Sequence, residues 1–522
     1  MVRRILMASL LVLAAAFLGQ RLLAQSITSG DITGTVTDAT GAALPNAQLT
    51  ATNVNTGATQ TATSGAQGTY RFAFLPPGNY RVTVTANGFQ TSQRANLIVT
   101  AGQPTPADFQ LAVAASTTTV NVTESPTAIQ TENADVSTPY NTEQIADMPN
   151  PGGDLTYIAQ TAPGVVMNTQ SGYGNFSALG MPATSNLFTI NGQNFNDPYL
   201  NLNNSGASNL MLGFNDISEA NVINNAYSAQ YGQYAGTQVT YITKSGTNAF
   251  HGNAIYMWDG RATNANDFFS NSVGAARPFL NFNQWATDVG GPIWKNHTFF
   301  DVDYEGARVV LPTSSNLIHI PSPQFQAATL ANLAATGNSA EVPYYQQIFG
   351  IYNGAAGAAS AAPTNGGGCG SFTALGPGVP CSVAFRTTPP NREREYQWAA
   401  RVDHNFSDKD HGYIRVFRDN GYQPTYTDAL NPIFNAYSPQ PQMSGQVSES
   451  HAFGASAVNQ FNASALFYSA AFLLSNPSGL WRRCSLRSAL PERHSHASAA
   501  RPSNFRRAAA YSSIRFSMTS RR

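Results

Sequence analysis

At 522 residues the chain is long enough for three or four ordinary domains, yet only 11% of it is charged, against about 25% in ordinary globular proteins. Lys+Arg and Asp+Glu both number 28, so no overall basic or acidic field argues for a nucleic-acid partner, and abundant uncharged polar residues mixed with aromatics suit exported all-β proteins better than cytosolic enzymes. The balance is uneven along the chain: residues 479–522 hold ten arginines and one acid, leaving eighteen basic and twenty-seven acidic residues before them.

Arg3 and Arg4 precede the apolar run Ile5–Leu18, and Leu22-Leu23-Ala24 offers a small residue before Gln25. That is the pattern of a secretory signal peptide over residues 1–24, cleaved near Ala24. Gln20 and Arg21 break the run short of the ~18 residues a membrane-spanning helix needs. No other stretch is long and apolar enough to cross as a helix, so any membrane insertion of the mature chain uses strands.

Residues 25–112 read as a small β-sandwich: short alternating strands with turn residues every eight to twelve positions. Ile32, Val36, Leu49 and Val54 are the expected inward positions. Tyr70, Phe72 and Phe74 alternate with Arg71 and Ala73, giving one aromatic, core-like face, and Pro76-Pro77-Gly78 turns into Tyr80–Val84. "GTVTDATGAALPNAQLTATN" and "GTYRFAFLPPGNYRVTVTANGF" resemble the carboxypeptidase regulatory-like domain, which implies a seven-stranded immunoglobulin-like sandwich of the carbohydrate-binding-like group. A sugar site would need an exposed aromatic platform. Here the aromatics fall at buried-looking positions, so the expected role is a rigid extension in the periplasm.

A Thr/Ser/Ala-rich linker, residues 113–127, contains "TTTVNV". Its β-prone core, Thr118, Thr119, Val120, Asn121 and Val122, reads either as plain linker or as a resemblance to a TonB box. A TonB box is a segment that adds as a strand to the energising protein TonB, through backbone bonds that leave the side-chain code loose. Over 128–248, "IADMPNPGGDLTYIAQTAPGV", "LFTINGQNFNDP" with its Asn191-Gly192 turn, and "DISEANVINNAYSAQYGQYAGTQVTYITKSGTN" resemble the α+β plug of TonB-dependent receptors in that order. Gly232, Gly236 and Gly246 supply tight backbone turns within a confined globule.

Residues 249–478 alternate with period two. Phe250, Ala254, Tyr256 and Trp258 oppose His251, Asn253 and Asp259. Thr298, Phe300, Val302 and Tyr304 alternate with Phe299, Asp301, Asp303 and Glu305; Tyr396, Trp398, Ala400 and Val402 alternate with Gln397, Ala399, Arg401 and Asp403. Alternation alone fits a soluble sandwich equally well. The preceding signal peptide and plug favour an antiparallel transmembrane β-barrel with apolar residues outward toward lipid and polar residues inward toward a watery lumen. "NAFHGNAIYMWDGRATNANDFF", "ATDVGGPIWKNHTFFDVDYEGAR" and "ARVDHNFSDKDHGYIRV" resemble the Oar-like barrel of TonB-dependent receptors, and the resemblances together cover residues 27–470. The expected fold is therefore mainly β: sandwich, plug, then a partial barrel.

No enzyme chemistry is legible. The eight histidines are scattered, with no H-E-x-x-H, Cys/His cluster, nucleophile elbow or phosphate-binding loop. Asp403, Asn405, Ser407, Asp408 and Asp410 suggest a calcium loop, but Ile414 stands where an EF-hand needs Glu, so a hairpin turn is expected. In an oxidising compartment Cys369 and Cys381, which bracket "CGSFTALGPGVPC", are expected to close a loop disulfide, the alternative being two free thiols. With no histidine nearby they make a poor metal site.

The resemblance implies an outer-membrane receptor or transporter without cofactor or metal, whose partners are TonB, lipid and an extracellular ligand, a carbohydrate or a peptide. The alternatives are a non-transporting surface protein for adhesion or extracellular assembly, and a carbohydrate-binding module. Such receptors have barrels of about 22 strands, and the 229 residues from Phe250 to Ser478 provide for about a third of one. Residues 479–522 are rich in Arg, Ser, Ala, Pro and His, and are expected to be an aberrant, frameshifted tail on an incomplete receptor. The alternative is a basic tail that binds polyanions.

Overall fold

A computed structural model describes residues 28–113, 120–122, 136–150, 153–167, 175–203, 206–208, 210–225, 234–266, 268–272, 274, 277, 279–312, 316–363, 379–387, 389–454, 457–476 and 509–520. The expected signal peptide lies outside them.

The N-terminal unit holds β1 (Gly30–Asp38), β2 (Gln48–Asn53), β3 (Thr59–Thr63), β4 (Thr69–Leu75), β5 (Gly78–Thr85), β6 (Ser92–Val99), β7 (Pro104–Pro106) and β8 (Phe109–Leu111). One sheet is β4-β1-β7, with β8 also on β1; the other runs β3-β2-β5-β6 and continues into β9 (Val120–Val122). Ile32, Val36, Leu49, Phe72, Val82, Val84, Leu97 and Phe109 form the core between them.

Two expected core positions are corrected. In β2 the residues facing inward are Leu49, Ala51 and Asn53. Val54 is out of phase with them and exposed, as a period of two requires. Phe74 is in phase with Phe72 but takes a left-handed φ of 59°, where its N–H donates to Asp31 Oδ1 at 2.9 Å and the β1–β4 register shifts. That bulge gives the core position to Leu75.

The second unit contains β10 (Val136–Tyr140), β11 (Val165–Met167), β12 (Phe176–Ala178), β13 (Leu187–Ile190), β14 (Gln193–Asn194), β15 (Ile217–Asn225) and β16 (Gln238–Thr243). The main sheet is β10-β15-β16-β13-β14. The helix Thr142–Asp147 carries a capping box, in which Asn141 and Gln144 each accept the other's backbone N–H. The core of Leu155, Ile158, Phe176, Phe188, Val222, Val239 and Tyr241 takes in Ala399, Phe417 and Leu466 from the third unit. The two units share one interior.

The third unit is an antiparallel wall. Its strands begin with β17 (His251–Gly260), β18 (Asn281–Trp294) and β19 (Thr298–Pro312). Between β19 and the next wall strand, a separate sheet of β20 (Asn316–Pro321), β21 (Ala362–Pro363) and β22 (Ser382–Thr387) packs with the helices Pro323–Ala335 and Val342–Asn353. The wall resumes with β23 (Pro390–Ser407) and β24 (Asp410–Tyr426), followed by β25 (Ala436–Pro439), β26 (Gln442–Gly454), β27 (Ala457–Ala470), β28 (Leu473–Leu474) and β29 (Ala509–Ser520). Its order is β17-β18-β19-β23-β24-β26-β27-β29. Thus the basic C-terminal segment, expected to be an aberrant tail, contributes a strand paired along β27.

Alternation sorts this wall as expected. Tyr256, Trp258, Val302, Tyr304, Trp398, Val402, Ile414 and Val447 are exposed on the outer face, while Asp301, Asp303, Glu305, Glu395, Gln397 and Arg415 are buried on the inner one. A row of exposed aromatics and β-branched residues over buried charges inverts the arrangement of a soluble sandwich and suits lipid. Connections at 295–297, 408–409 and 455–456 are short, whereas those at 261–280, 313–389 and 427–441 are long. The wall has a short-turn end and a long-loop end.

Candidate functional site

The inner face of the wall was expected to meet water; over the described residues it meets the plug. Glu305 of β19 accepts the backbone N–H groups of Gly213 at 2.9 Å and Asn215 at 2.8 Å. Glu395 of β23 accepts from the Ser208 N–H at 2.6 Å and from its hydroxyl. Asn215 Nδ2 donates to both Asp288 and Asp303 at 3.1 Å. The irregular stretches 206–208 and 210–216 thus find acceptors for their backbone in the carboxylates of the wall, as an unladdered buried backbone must. Gly206 has φ +61°, and a Cβ there would clash with Glu395 Oε1, so the close approach depends on glycine.

Cations on both sides complete the contact. Arg415, buried on β24, pairs with Asp216 at 2.5 Å, and Lys244 pairs with Asp288 at 3.1 Å. Arg401 donates to Thr243 O and Oγ1 and also pairs with Asp403 at 2.7 Å. The expected Asn191-Gly192 turn is present as a two-residue hairpin between β13 and β14, with φ 49° and 79°. Its Asn191 side chain accepts the Thr243 N–H at 3.0 Å and donates to Thr243 Oγ1 at 2.9 Å. Gln446 of β26 donates to Ile190 O at 2.8 Å, which ties this turn to the wall.

The sandwich docks on the plug and on the short-turn end. Glu219 of β15 accepts the Ala101 N–H at 3.1 Å, Gln103 donates to Ser137 at 3.0 Å, and Asn248 N donates to Asn55 O at 2.9 Å. A cavity of about 170 Å³ lies between Phe74 and Pro76 of the sandwich, Gly246 of the plug and His411 of the wall. Burial pushes the Glu219 carboxyl up to about 7 and the Asp154 carboxyl of the plug up to about 6. Asp154 also caps the turn after it, accepting from Thr156 N at 2.9 Å and Oγ1 at 2.6 Å.

Of the candidate TonB box, Val120, Asn121 and Val122 form β9, which pairs parallel with Ser92–Arg94 on the open edge of β6. Thr118 and Thr119 lie outside the described residues. Cys381 is disulfide-bonded, and its expected partner Cys369 also lies outside them. The loop at 403–410 is a hairpin with Ser407 opposite Asp410. Asp410, Glu449 and His451 bring ligand-type atoms within 4.8 Å of one another, and His451 Nδ1 already hydrogen-bonds Asp410. Tyr70, Phe72 and Tyr80 of the sandwich are buried and offer no stacking platform for a sugar. The grip of Glu305 and Glu395 on the plug was missed in the sequence. Its signal was the run of acids on one face of β19 and β23, read as lining water.

Three family models match in chain order. Residues 31–112 match the carboxypeptidase regulatory-like domain, 122–237 the TonB-dependent receptor plug domain and 242–479 an outer membrane beta barrel domain. The TonB-dependent transporter Oar of Myxococcus xanthus is 27% identical over 312 residues, which are 57% of this chain and 28% of that one. The chain therefore spans about a quarter of the length of that relative. Solved structures similar to it include the outer membrane transporter YddB from Escherichia coli (TM-score 0.44, 11% identity, 65% of this chain and 40% of that one). A ferric enterobactin receptor variant from Pseudomonas aeruginosa matches with TM-score 0.38 and 14% identity, over 65% and 42% of the two chains.

Proposed function

Because the chain belongs to the TonB-dependent receptors, with a carboxypeptidase regulatory-like domain at its N-terminus, we propose that it acts at the outer membrane as a plug-gated receptor that takes up an extracellular ligand. This is a family of transporters and receptors, not of enzymes. The ligand arrives at the long-loop end, and the sandwich projects into the periplasm from the short-turn end. TonB captures the segment Thr118–Val122 by strand addition, which needs only a free backbone edge. A pull there passes along the chain into β10, which is hydrogen-bonded along β15 from Tyr140↔Ala220 to Val136↔Asn225. No nucleotide or metal is required, since the work comes from the inner-membrane proton gradient through TonB.

The observation that carries this reading is the seating of the plug against the inner wall by Glu305, Glu395, Arg401 and Arg415. These polar contacts flank the apolar interior that the two units share through Ala399, Phe417 and Leu466, and they fix the position of the plug on the wall. The test is disulfide trapping in cells: Asn121→Cys should cross-link to single-cysteine TonB, in the outer-membrane fraction. Recovery of the chain in the soluble periplasm, or cross-linking that is no greater than with a cysteine on exposed β3, would overturn it.

A further inference from the structure

At the long-loop end, a cavity of about 460 Å³ opens between the plug and the wall. Leu210 of the plug segment, Phe282 of β18, and Val309 and Leu311 of β19 form an apolar cluster along it. Into this apolar setting the sequence places a carboxylate. Glu393 of β23 lines the cavity, stands opposite Val309 in the strand register, and is only 7% exposed. Its Oε2 is enclosed and has no hydrogen-bond partner among the described residues.

The neighbours make this notable. On the same inner face Glu305 and Glu395 accept N–H groups from the plug, and at the cavity rim Asp259 is engaged by Asn264 at 3.1 Å. Ser208, also on the cavity, is held by Glu395. An enclosed carboxylate oxygen without a donor is costly in an apolar setting; Glu395 Oε1 and Asp303 Oδ2 also lack one, but those carboxylates are held through their other oxygen, and Glu393 is not. We infer that this cavity is a ligand subsite for a cationic amine or guanidinium group borne on an apolar body, with Glu393 as its acceptor. The inference rests on the receptor reading above and specifies its ligand.

The surroundings narrow the chemistry. A bare metal ion finds only Glu393 uncommitted, since Asp259 is engaged by Asn264 and Ser208 by Glu395, and would stay hydrated. An anion meets Glu393 directly. A free sugar would leave its hydroxyls against Leu210, Val309 and Leu311. An aliphatic or aromatic ammonium group, as in a basic or N-terminal residue of a peptide, matches both the charge and the walls, and the volume lies in the range of small-molecule pockets.

The test is titration calorimetry of the full chain in micelles at mildly alkaline pH, with three probes: 2-phenylethylammonium, 2-phenylethanol and phenylacetate. The ammonium should bind about tenfold or more tightly than the alcohol, and phenylacetate should not bind, as a charge-assisted hydrogen bond in an enclosed site requires. Glu393→Gln should bring the ammonium down to the affinity of the alcohol and leave the alcohol unchanged. Val309→Trp, which fills the space, should abolish binding of both. Equal affinities for ammonium and alcohol, or an ammonium affinity unchanged in Glu393→Gln, would overturn the subsite. The TonB cross-link separates the two conclusions. A chain that cross-links but shows no charge preference keeps the receptor reading and loses the subsite, and a chain with the preference but no cross-link does the reverse.

Discussion

The side chain of Glu219 in the plug accepts the backbone N–H of Ala101 in the sandwich at 3.1 Å, so a buried carboxyl group fastens one unit to the next. Burial raises this group from its ordinary value of 4.5 to about 7, which means that the docked state prefers it protonated. The contact is therefore strongest at acid pH, weakens as pH rises above the ordinary glutamate range, and bears the full cost of ionisation above about 7. Hydrogen exchange at the Ala101 amide, corrected for intrinsic rate, should lose protection between about pH 5 and about pH 8. Glu219→Gln keeps an acceptor and removes the charge, so its profile should be flat; a variant with the same slope would refute the assignment.

Within the sandwich, Phe72→Ala should destabilise by about 3–5 kcal/mol, because Phe72 is fully enclosed. Phe74→Ala should cost below about 1 kcal/mol, since the bulge turns that residue toward the domain junction. Urea melts of the excised residues 25–112 would compare them. Equal losses would place the bulge wrongly.

Glu305→Ala removes the acceptor for Gly213 and Asn215 together. Each buried N–H left without a partner costs about 1–3 kcal/mol, so the plug segment 206–216 should exchange its amides faster and become more susceptible to proteolysis. Exchange that is no faster there than in wild type would mean the wall does not hold the segment.

On the outer face, Trp398→Arg should oppose insertion by about 2–4 kcal/mol if the residue sits near the bilayer midplane. Folding into lipid vesicles, followed by resistance to denaturant, measures it. Trp398 is half-exposed in the absence of lipid, so a water-soluble wall would tolerate arginine there, and tolerance in vesicles would reject the lipid-facing assignment.

The sequence pattern was most informative where structure is local or strictly periodic. Asp301, Asp303 and Glu305 alternate with Val302 and Tyr304, and a period of two separates their faces whatever lies beyond. Asn191-Gly192 marks its own turn because both residues accept positive φ. Phe74 broke the same rule that Phe72 obeyed, since a left-handed residue inserts a step that apolar spacing does not encode. Val54 was misplaced although its odd spacing from Leu49 already gave its face. Glu219 and Glu305 were illegible for another reason: their partners lie 118 and about 90 residues away in the chain, and only the folded wall and plug bring them together.

The pairing of β19 with β23 runs unbroken from Thr298↔His404 to Pro312↔Pro390, although residues 313–389 intervene. The wall is indifferent to what that excursion contains, provided its ends return to adjacent positions, and the entropic penalty of a longer closure grows only slowly with length. Diversity can therefore accumulate in the insert by recombination or wholesale replacement while the wall beneath it stays constant. A lineage carrying this arrangement can exchange the insert without renegotiating the contacts that Glu305, Glu395 and Arg415 make with the plug.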